Sequence, residues 1–433
     1  MTNNSLAQIK SLNYIIPFFL FFNFIVVGIV ASYLNISQMY WAGALVPLLL
    51  VLQPNKTRLF SDNIQLALFC WLVYLGFNWL FLTGGSLKAI AIKDYIIPSI
   101  SLLIASRIVL SNVQLSAIYK LIRTIVFIQL PFVISQFFIT ARASNTKAFD
   151  WDLISGTFGF NPQGGGGNSA GLLLFLCFYC TMAVKKIRLK RATQLDFLAI
   201  IFSMTSVLMM ETKIVIVLVI FIVIAVVEPK EFLKPKIILG SSLFITVFVV
   251  GMVANYSSNF SSGSGKGQSI TEYVIDIGND YSKTDLVDYS SGEVSRIASI
   301  TIWMDNNLSH RLTVNSLVGH GLTSSKYANV NNSEAVIFAS PVSFASSQLS
   351  IYLWDIGLLG VFILIALLLY KFLSLLQMKT VGLYDKTFKS GGVFLILAIT
   401  IYPLYSTVLH VNKITFSILL LLMITTSKDK ISK

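Results

Sequence analysis

The chain has 433 residues, 55% of them hydrophobic and 12% charged, with a mean hydropathy of +0.77. An ordinary soluble domain carries about 25% charged residues, so this composition excludes one. The net charge of +13 invites a nucleic-acid partner, and the placement of the charges along the chain removes that reading.

Apolar runs recur at roughly 12–34, 39–53, 64–82, 94–110, 118–140, 169–184, 195–210, 213–227, 237–255, 344–370, 391–409 and 413–426. Runs of this kind enter a bilayer as helices, and they predict an all-α polytopic membrane protein of about 12 transmembrane helices. Three regions follow: 1–255 with nine spans and short loops, 256–343 as one large, partly helical external loop, and 344–433 with the last three spans. If the N-terminus lies inside and the spans alternate, both termini are inside. The inner loops then hold 21 of the 32 basic residues and only 6 of the 19 acidic ones. Lys56, Arg58, Arg107, Arg123, the run from Lys185 to Arg191 and Lys386 all fall there. Such asymmetry is the positive-inside pattern of membrane insertion, so no nucleic acid is expected as a partner. Residues 12–34 are too long for a signal-peptide core and read as a retained first span.

The three cysteines, Cys70, Cys177 and Cys180, all lie in apolar runs, so the external loop has no disulfide framework. The CxxC formed by Cys177 and Cys180 reads as packing in a lipid-facing helix rather than as redox or metal chemistry. In the first outer connector, 83–93, Lys88 and Lys93 read as interfacial anchors. The next, 141–168, reads ARASNTKAFDWDLISGTFGFNPQGGGGN, with Arg142, Lys147, Asp150, Asp152 and Trp151 ahead of four glycines. Asn168 or Ser169 is placed to cap the following helix. Glycines feeding a helix start can present backbone N–H groups to a phosphate, although no Lys-Ser/Thr follows them as in a P-loop; the other reading is a re-entrant loop. Glu211 and Lys213 sit in a tiny turn between two apolar spans, where ionisable groups are costly; a role and simple snorkelling are equally open.

The external loop begins with a Ser/Gly/Asn linker at 256–268. An acidic stretch, 271–288, lacks calcium-loop spacing and reads as a solvated face. Ser290 and Glu293 have capping-box spacing, and Ile297, Ile300, Met304 and Leu308 form an apolar stripe at helical spacing. An amphipathic helix on the membrane would hold Arg296 over the interface. Its planar guanidinium suits a phosphate or pyrophosphate, and pairing with Glu293 is the plainer alternative. His310, Arg311 and the turn Gly319-His320-Gly321 follow. No paired-ligand spacing accompanies the histidines, so no metal site is expected.

The order Arg296, Trp303, LVGHGLTSS and QLSIYLWDIGLLG, the last entering an apolar span, resembles the O-antigen polymerase and ligase superfamily. Its members show an arginine, a tryptophan two turns on, a Gly-x-Gly turn and a Glu/Asp-x-Gly-x-x-Gly helix entry, filled here by Asp355, Gly357 and Gly360. Gly156-Thr157-Phe158 with Asn161-Pro162 resembles the family's Gly-x-Phe…Asn-Pro element, and Glu211-Thr212-Lys213 falls where members often have Ser-Arg. Lys213 therefore replaces a family arginine. The ligases' histidine before the tenth span is Ser346 here, which favours polymerase over ligase, and His320 inherits no role.

The resemblance implies a glycosyltransferase of the bacterial cytoplasmic (inner) membrane that joins undecaprenyl-pyrophosphate-linked oligosaccharides on its outer face. It further implies a groove for membrane lipid and partners that regulate chain length, with no cofactor. Arg296 and Arg311 would then stabilise the departing pyrophosphate, assisted by Arg142 or Lys213. Glu293, His310 and His320 are candidate bases, and Trp303 and His310 candidate substrate contacts. A ligase, a flippase or exporter of lipid-linked sugars, and a structural membrane protein are the other readings.

Overall fold

In the computed structural model, described residues are 14–53, 56–60, 62–143, 154–160, 167–210, 214–228, scattered positions within 231–251, 287–288, 293–294, 296–308, 313–325, 344–380, 382–407 and 413–425. The described backbone is helical almost throughout, and every expected span carries helix. In chain order these are α1 (Ile15–Tyr33), α2 (Met39–Leu52), α3 (Asn63–Phe81), α4 (88–105), α5 (Asn112–Ala143), α6 (Gly167–Arg188), α7 (Gln194–Met210) and α8 (Val215–Val226). In the ninth expected span the described positions 239, 240, 242, 243, 246, 250 and 251 are helical. Then come the strands β1 (Val287–Asp288) and β2 (Glu293–Val294), the helices α9 (Arg296–Leu308) and α10 (Val314–Val318), and finally α11 (Gln348–Gln377), α12 (Leu383–Tyr405) and α13 (Lys413–Thr425).

Six helices among the described residues are long and apolar enough to cross a membrane, namely α1, α3, α5, α6, α11 and α12; α2, α7 and α8 are shorter and apolar. The chain is therefore a helical membrane protein. Several helices outrun the expected spans because polar residues begin them. Ser111 and Gln114 cap α5 reciprocally, with Ser111 N–H donating to Gln114 Oε1 (2.9 Å) and Gln114 N–H to Ser111 Oγ (3.3 Å). Asp385 accepts from the Gly382 N–H ahead of α12 (3.2 Å).

The packing is organised around α6, which is buried between α5, α7, α8, α12 and α13. Cys177 and Cys180 are thus enclosed by protein, which corrects the lipid-facing expectation; only Cys70 is exposed, and all three thiols are free.

The connecting segments fall into two groups at opposite ends of the helices. At one end Thr57 N–H bonds Arg107 O (2.8 Å). There too, buried Asp196 accepts from Lys186 (2.7 Å), Arg123 (3.0 Å), Tyr119 (2.9 Å) and Thr193 (2.8 Å). Lys185 and Arg188 bond Val226 O at the same end. At the other end Lys88 lies over Trp79 and Lys93 over Trp41, as anchors do.

Candidate functional site

The site begins at a break in α11. Ser347 caps this helix, accepting from Ser350 N–H (3.2 Å), and two turns on Gly357 adopts φ 62°, ψ −172°. That conformation is open essentially to glycine alone; a Cβ there would also lie 2.5 Å from Gly319 N and Leu317 O. Breaking the ladder frees carbonyls inside a membrane helix, and irregular backbone at that depth persists only where protein satisfies it. Three carbonyls beside the break have partners from elsewhere in the fold. Trp354 O accepts from His320 N–H (2.8 Å), Asp355 O from Asn78 Nδ2 (3.3 Å) and Ile356 O from the Tyr74 hydroxyl (2.5 Å). Asn78 Nδ2 and Tyr74 also serve Val318 O, at 2.8 and 3.3 Å.

The Gly-His-Gly turn is thereby seated directly on the kink. Gly319 (φ 86°) packs so closely on Asp355 O that a Cβ would collide with it, and at Gly321 (φ 106°) a Cβ would meet Leu82 O at 2.5 Å. Leu322 N–H completes the seat with a bond to Thr83 Oγ1 (3.0 Å).

Asp355 locks the turn from below. Fully buried, it accepts from the Tyr95 hydroxyl (2.6 Å) and Thr323 N–H (2.9 Å) through Oδ2, and from Ser325 N–H (2.8 Å) and Ser324 Oγ (3.1 Å) through Oδ1. Four donors converge on two oxygens, which suits an ionised carboxylate and leaves it little capacity to take a further proton from a substrate. The Asp-x-Gly-x-x-Gly pattern marked Asp355 as part of a helix entry; its task of holding residues 323–325, together with Tyr95, Asn78 and Tyr74, went unread. The sequence signal was a set of polar side chains inside otherwise apolar spans.

Helix α9 lies on the same part of α11. Its buried face is Ala298, Ser299, Trp303 and Asn307, with Ile300 partly buried on the same core, whereas Met304 and Leu308 are exposed. Of the expected stripe Ile297, Ile300, Met304 and Leu308 the last two therefore do not pack, and the Ile297 side chain lies outside the described residues. Trp303 (1% exposed) joins Val294, Ala298, Phe344, Leu353 and Trp354 in a small core. Ser299 Oγ donates to Phe344 O (3.0 Å) and contacts Ser350 Oγ. Trp354 stacks on Phe344 with centroids 4.4 Å apart and carries the His320 ring on another side at 5.2 Å.

Trp303 and His320 are thus brought to one aromatic core, and Arg296, half-buried, opens the helix that Trp303 fastens. Glu293 is paired with Asp288 in extended backbone, ahead of the helix that starts at Arg296; Ser290, its expected capping partner, lies outside the described residues. The side chains of Glu293 and Arg142 lie outside the described residues, as do Lys213, His310 and Arg311 altogether.

A second irregular element, Gly156–Phe158, is a buried 3-10 turn. Gln136 Oε1 accepts from Ser155 and Gly156 N–H (both 2.8 Å), and its Nε2 donates to Gly156 O (2.7 Å). Gln129 exchanges two bonds with Thr157 (2.6 and 2.9 Å). The Thr157 hydroxyl donates to Phe24 O (2.5 Å) within the π-helical stretch Phe22–Val27 of α1, where a widened ladder loosens carbonyls. Asn168 lies in the first turn of α6 and donates to Gly159 O (2.7 Å). Residues 154–160 form a turn buried against α1, α5 and α6; the four glycines expected to greet a phosphate lie mostly outside the described residues.

No family model matches the chain, nor does any curated protein or solved structure.

Proposed function

We propose that the protein joins oligosaccharide repeat units carried on undecaprenyl pyrophosphate, at the outer face of a bacterial cytoplasmic membrane that it crosses about twelve times with both termini inside. The observation that carries this reading is the docking of the Gly319–Ser325 turn on the Asp355–Gly357 kink, beside the helix that bears Arg296. Three pieces that the resemblance links only by order along the chain are neighbours in space. A turn so fixed can hold charge in place for a reaction, which is what stabilising a leaving group requires.

In the reaction proposed, a hydroxyl oxygen of the incoming lipid-linked unit attacks the anomeric carbon of the growing chain. The bond from that carbon to the pyrophosphate oxygen breaks, and the electron pair leaves with undecaprenyl pyrophosphate. Arg296 and Arg311, with Arg142 or Lys213, compensate the departing charge. Glu293, His310 or His320 accepts the hydroxyl proton. Trp303 holds α9 rather than sugar. Proteins that set polymer length are the proposed partners.

The test is elongation of lipid-linked repeats by purified protein in detergent. A ladder of polymer that Arg296→Ala abolishes is expected; transfer to an unrelated acceptor without elongation indicates a ligase. Absence of any transfer, with movement of the lipid-linked sugar across liposomes, rejects the enzyme reading.

A further inference from the structure

The outer segment contains polar turns, yet its short helix α10 turns apolar side chains outward: Val314 is 72% and Leu317 46% exposed. The depth of this edge follows from its partners. Helix α3 has 19 residues and so spans about 28 Å, close to the ~30 Å of a bilayer's hydrocarbon core. Its end at Phe81 therefore marks one interface. Asn78 and Tyr74 lie three and seven residues before that end, or about 5 and 10 Å inside it, and both bond Val318 O, the last residue of α10. Beside it, past the Gly357 kink, α11 exposes Leu359 (44%) and Phe362 (69%), a continuous lipid-facing edge of a membrane helix.

We infer that α10 is a wedge set into the outer half of the bilayer, with Val314 and Leu317 against acyl chains. On the packed neighbour α9, Met304 and Leu308 are exposed as well, beside exposed Asp305 and Asn306. Were this edge in water, the chain would expose leucine and valine beside a seam of buried backbone bonds, while Ser316 turned inward. On the function proposed above, a lipid-linked substrate reaches the Gly319–Gly321 turn by sliding within the leaflet. The wedge itself holds whatever the reaction.

The experiment uses full-length protein carrying Cys70→Ser, since Cys177 and Cys180 are buried, in lipid nanodiscs. Leu317→Cys and, separately, Val314→Cys are spin-labelled, and collision with oxygen is compared with collision with a water-soluble nickel chelate. Phe362→Cys supplies the lipid reference and Ser37→Cys, in the exposed α1–α2 connection at the same end, the water reference. Oxygen-dominated collision at 317 and 314, as at 362, is expected. Nickel-dominated collision, as at 37, overturns the inference, and so does exclusion of both reagents, which means that protein covers the edge. Amide-exchange protection of 319–325, measured on each labelled variant, identifies any variant whose wedge has come apart, and the other variant then decides.

Discussion

Asp355→Asn tests the architecture of the site most directly. The substitution keeps shape and removes charge, so it alters what the four donors meet. Asn offers one acceptor oxygen and one NH2 group. The hydroxyls of Tyr95 and Ser324 can rotate to accept, but the N–H groups of Thr323 and Ser325 approach opposite oxygens and cannot. Whichever way the amide is turned, one backbone N–H faces a donor. Losing one hydrogen bond to a charged group costs about 1.5–3 kcal/mol, and leaving a buried N–H unmet about 1–3 kcal/mol. Relief from burying a charge offsets part of this, leaving a net cost of about 3 kcal/mol. At ~1.4 kcal/mol per factor of ten, the ratio of docked to undocked turn falls roughly a hundredfold. Hydrogen exchange read by mass spectrometry on detergent-solubilised protein should show that loss of protection in 317–325, with α6 unchanged. Tyr95→Phe, which removes one bond and orphans nothing on the backbone, should cost less. If Asp355→Asn leaves exchange in 317–325 unaltered, the carboxylate does not hold the turn.

Gly357→Ala should be worse than its size suggests, because the new methyl meets positive φ and a 2.5 Å contact together; a fall in thermal stability of several degrees is expected, and an unchanged melting curve would refute the kink. Asp196→Asn leaves buried Lys186 without its carboxylate, and breaking a buried pair costs about 3–5 kcal/mol, readable as a lower midpoint in a detergent melt. Gly28→Ala drives a methyl into Thr157 O and should expose residues 154–160 to exchange while sparing the α10 region. Trp303→Ala, at about 3–5 kcal/mol for a buried Trp, should free α9 and make 296–308 the first site of proteolysis; resistance there equal to the parent protein would show that the aromatic core does not anchor it.

The helices were legible because long apolar runs in a chain this poor in charge form helices, six of them among the described residues long and apolar enough to cross a membrane. The α9 pattern misled for a physical reason. Met304 and Leu308 look like the continuation of the core-facing stripe that Ile300 begins, under rules for proteins in water, but beside a bilayer apolar side chains also face outward, and helices pack through small and polar residues. Ala298, Ser299 and Asn307, with Trp303, are that packed face. Glu293 looked like a cap because its spacing from Ser290 fits one; pairing with Asp288 claims its backbone instead. Nothing local in the sequence signals that Asn78 meets Val318, 240 residues away.

One sequence signal nevertheless reaches across the fold. Asn78, Gln129 and Gln136 each interrupt an apolar span, and each is a carboxamide, with both a donor and an acceptor. In a bilayer such a side chain is costly without partners, and a regular helix offers none. An irregular turn does, because its backbone presents unpaired N–H and C=O groups together. Gln129 and Gln136 clasp 155–157 through both ends of the amide, and Asn78 collects the carbonyls of Val318 and Asp355. The polar intrusion in one helix and the broken backbone of a distant loop satisfy each other, and neither is stable in lipid alone. A buried amide inside a span is thus evidence that a re-entrant turn reaches it. On that logic Asn23, which donates to Gly43 O at 3.2 Å and Ser417 Oγ at 2.8 Å, ties helices together instead, because the groups it meets belong to α2 and α13 and not to a turn.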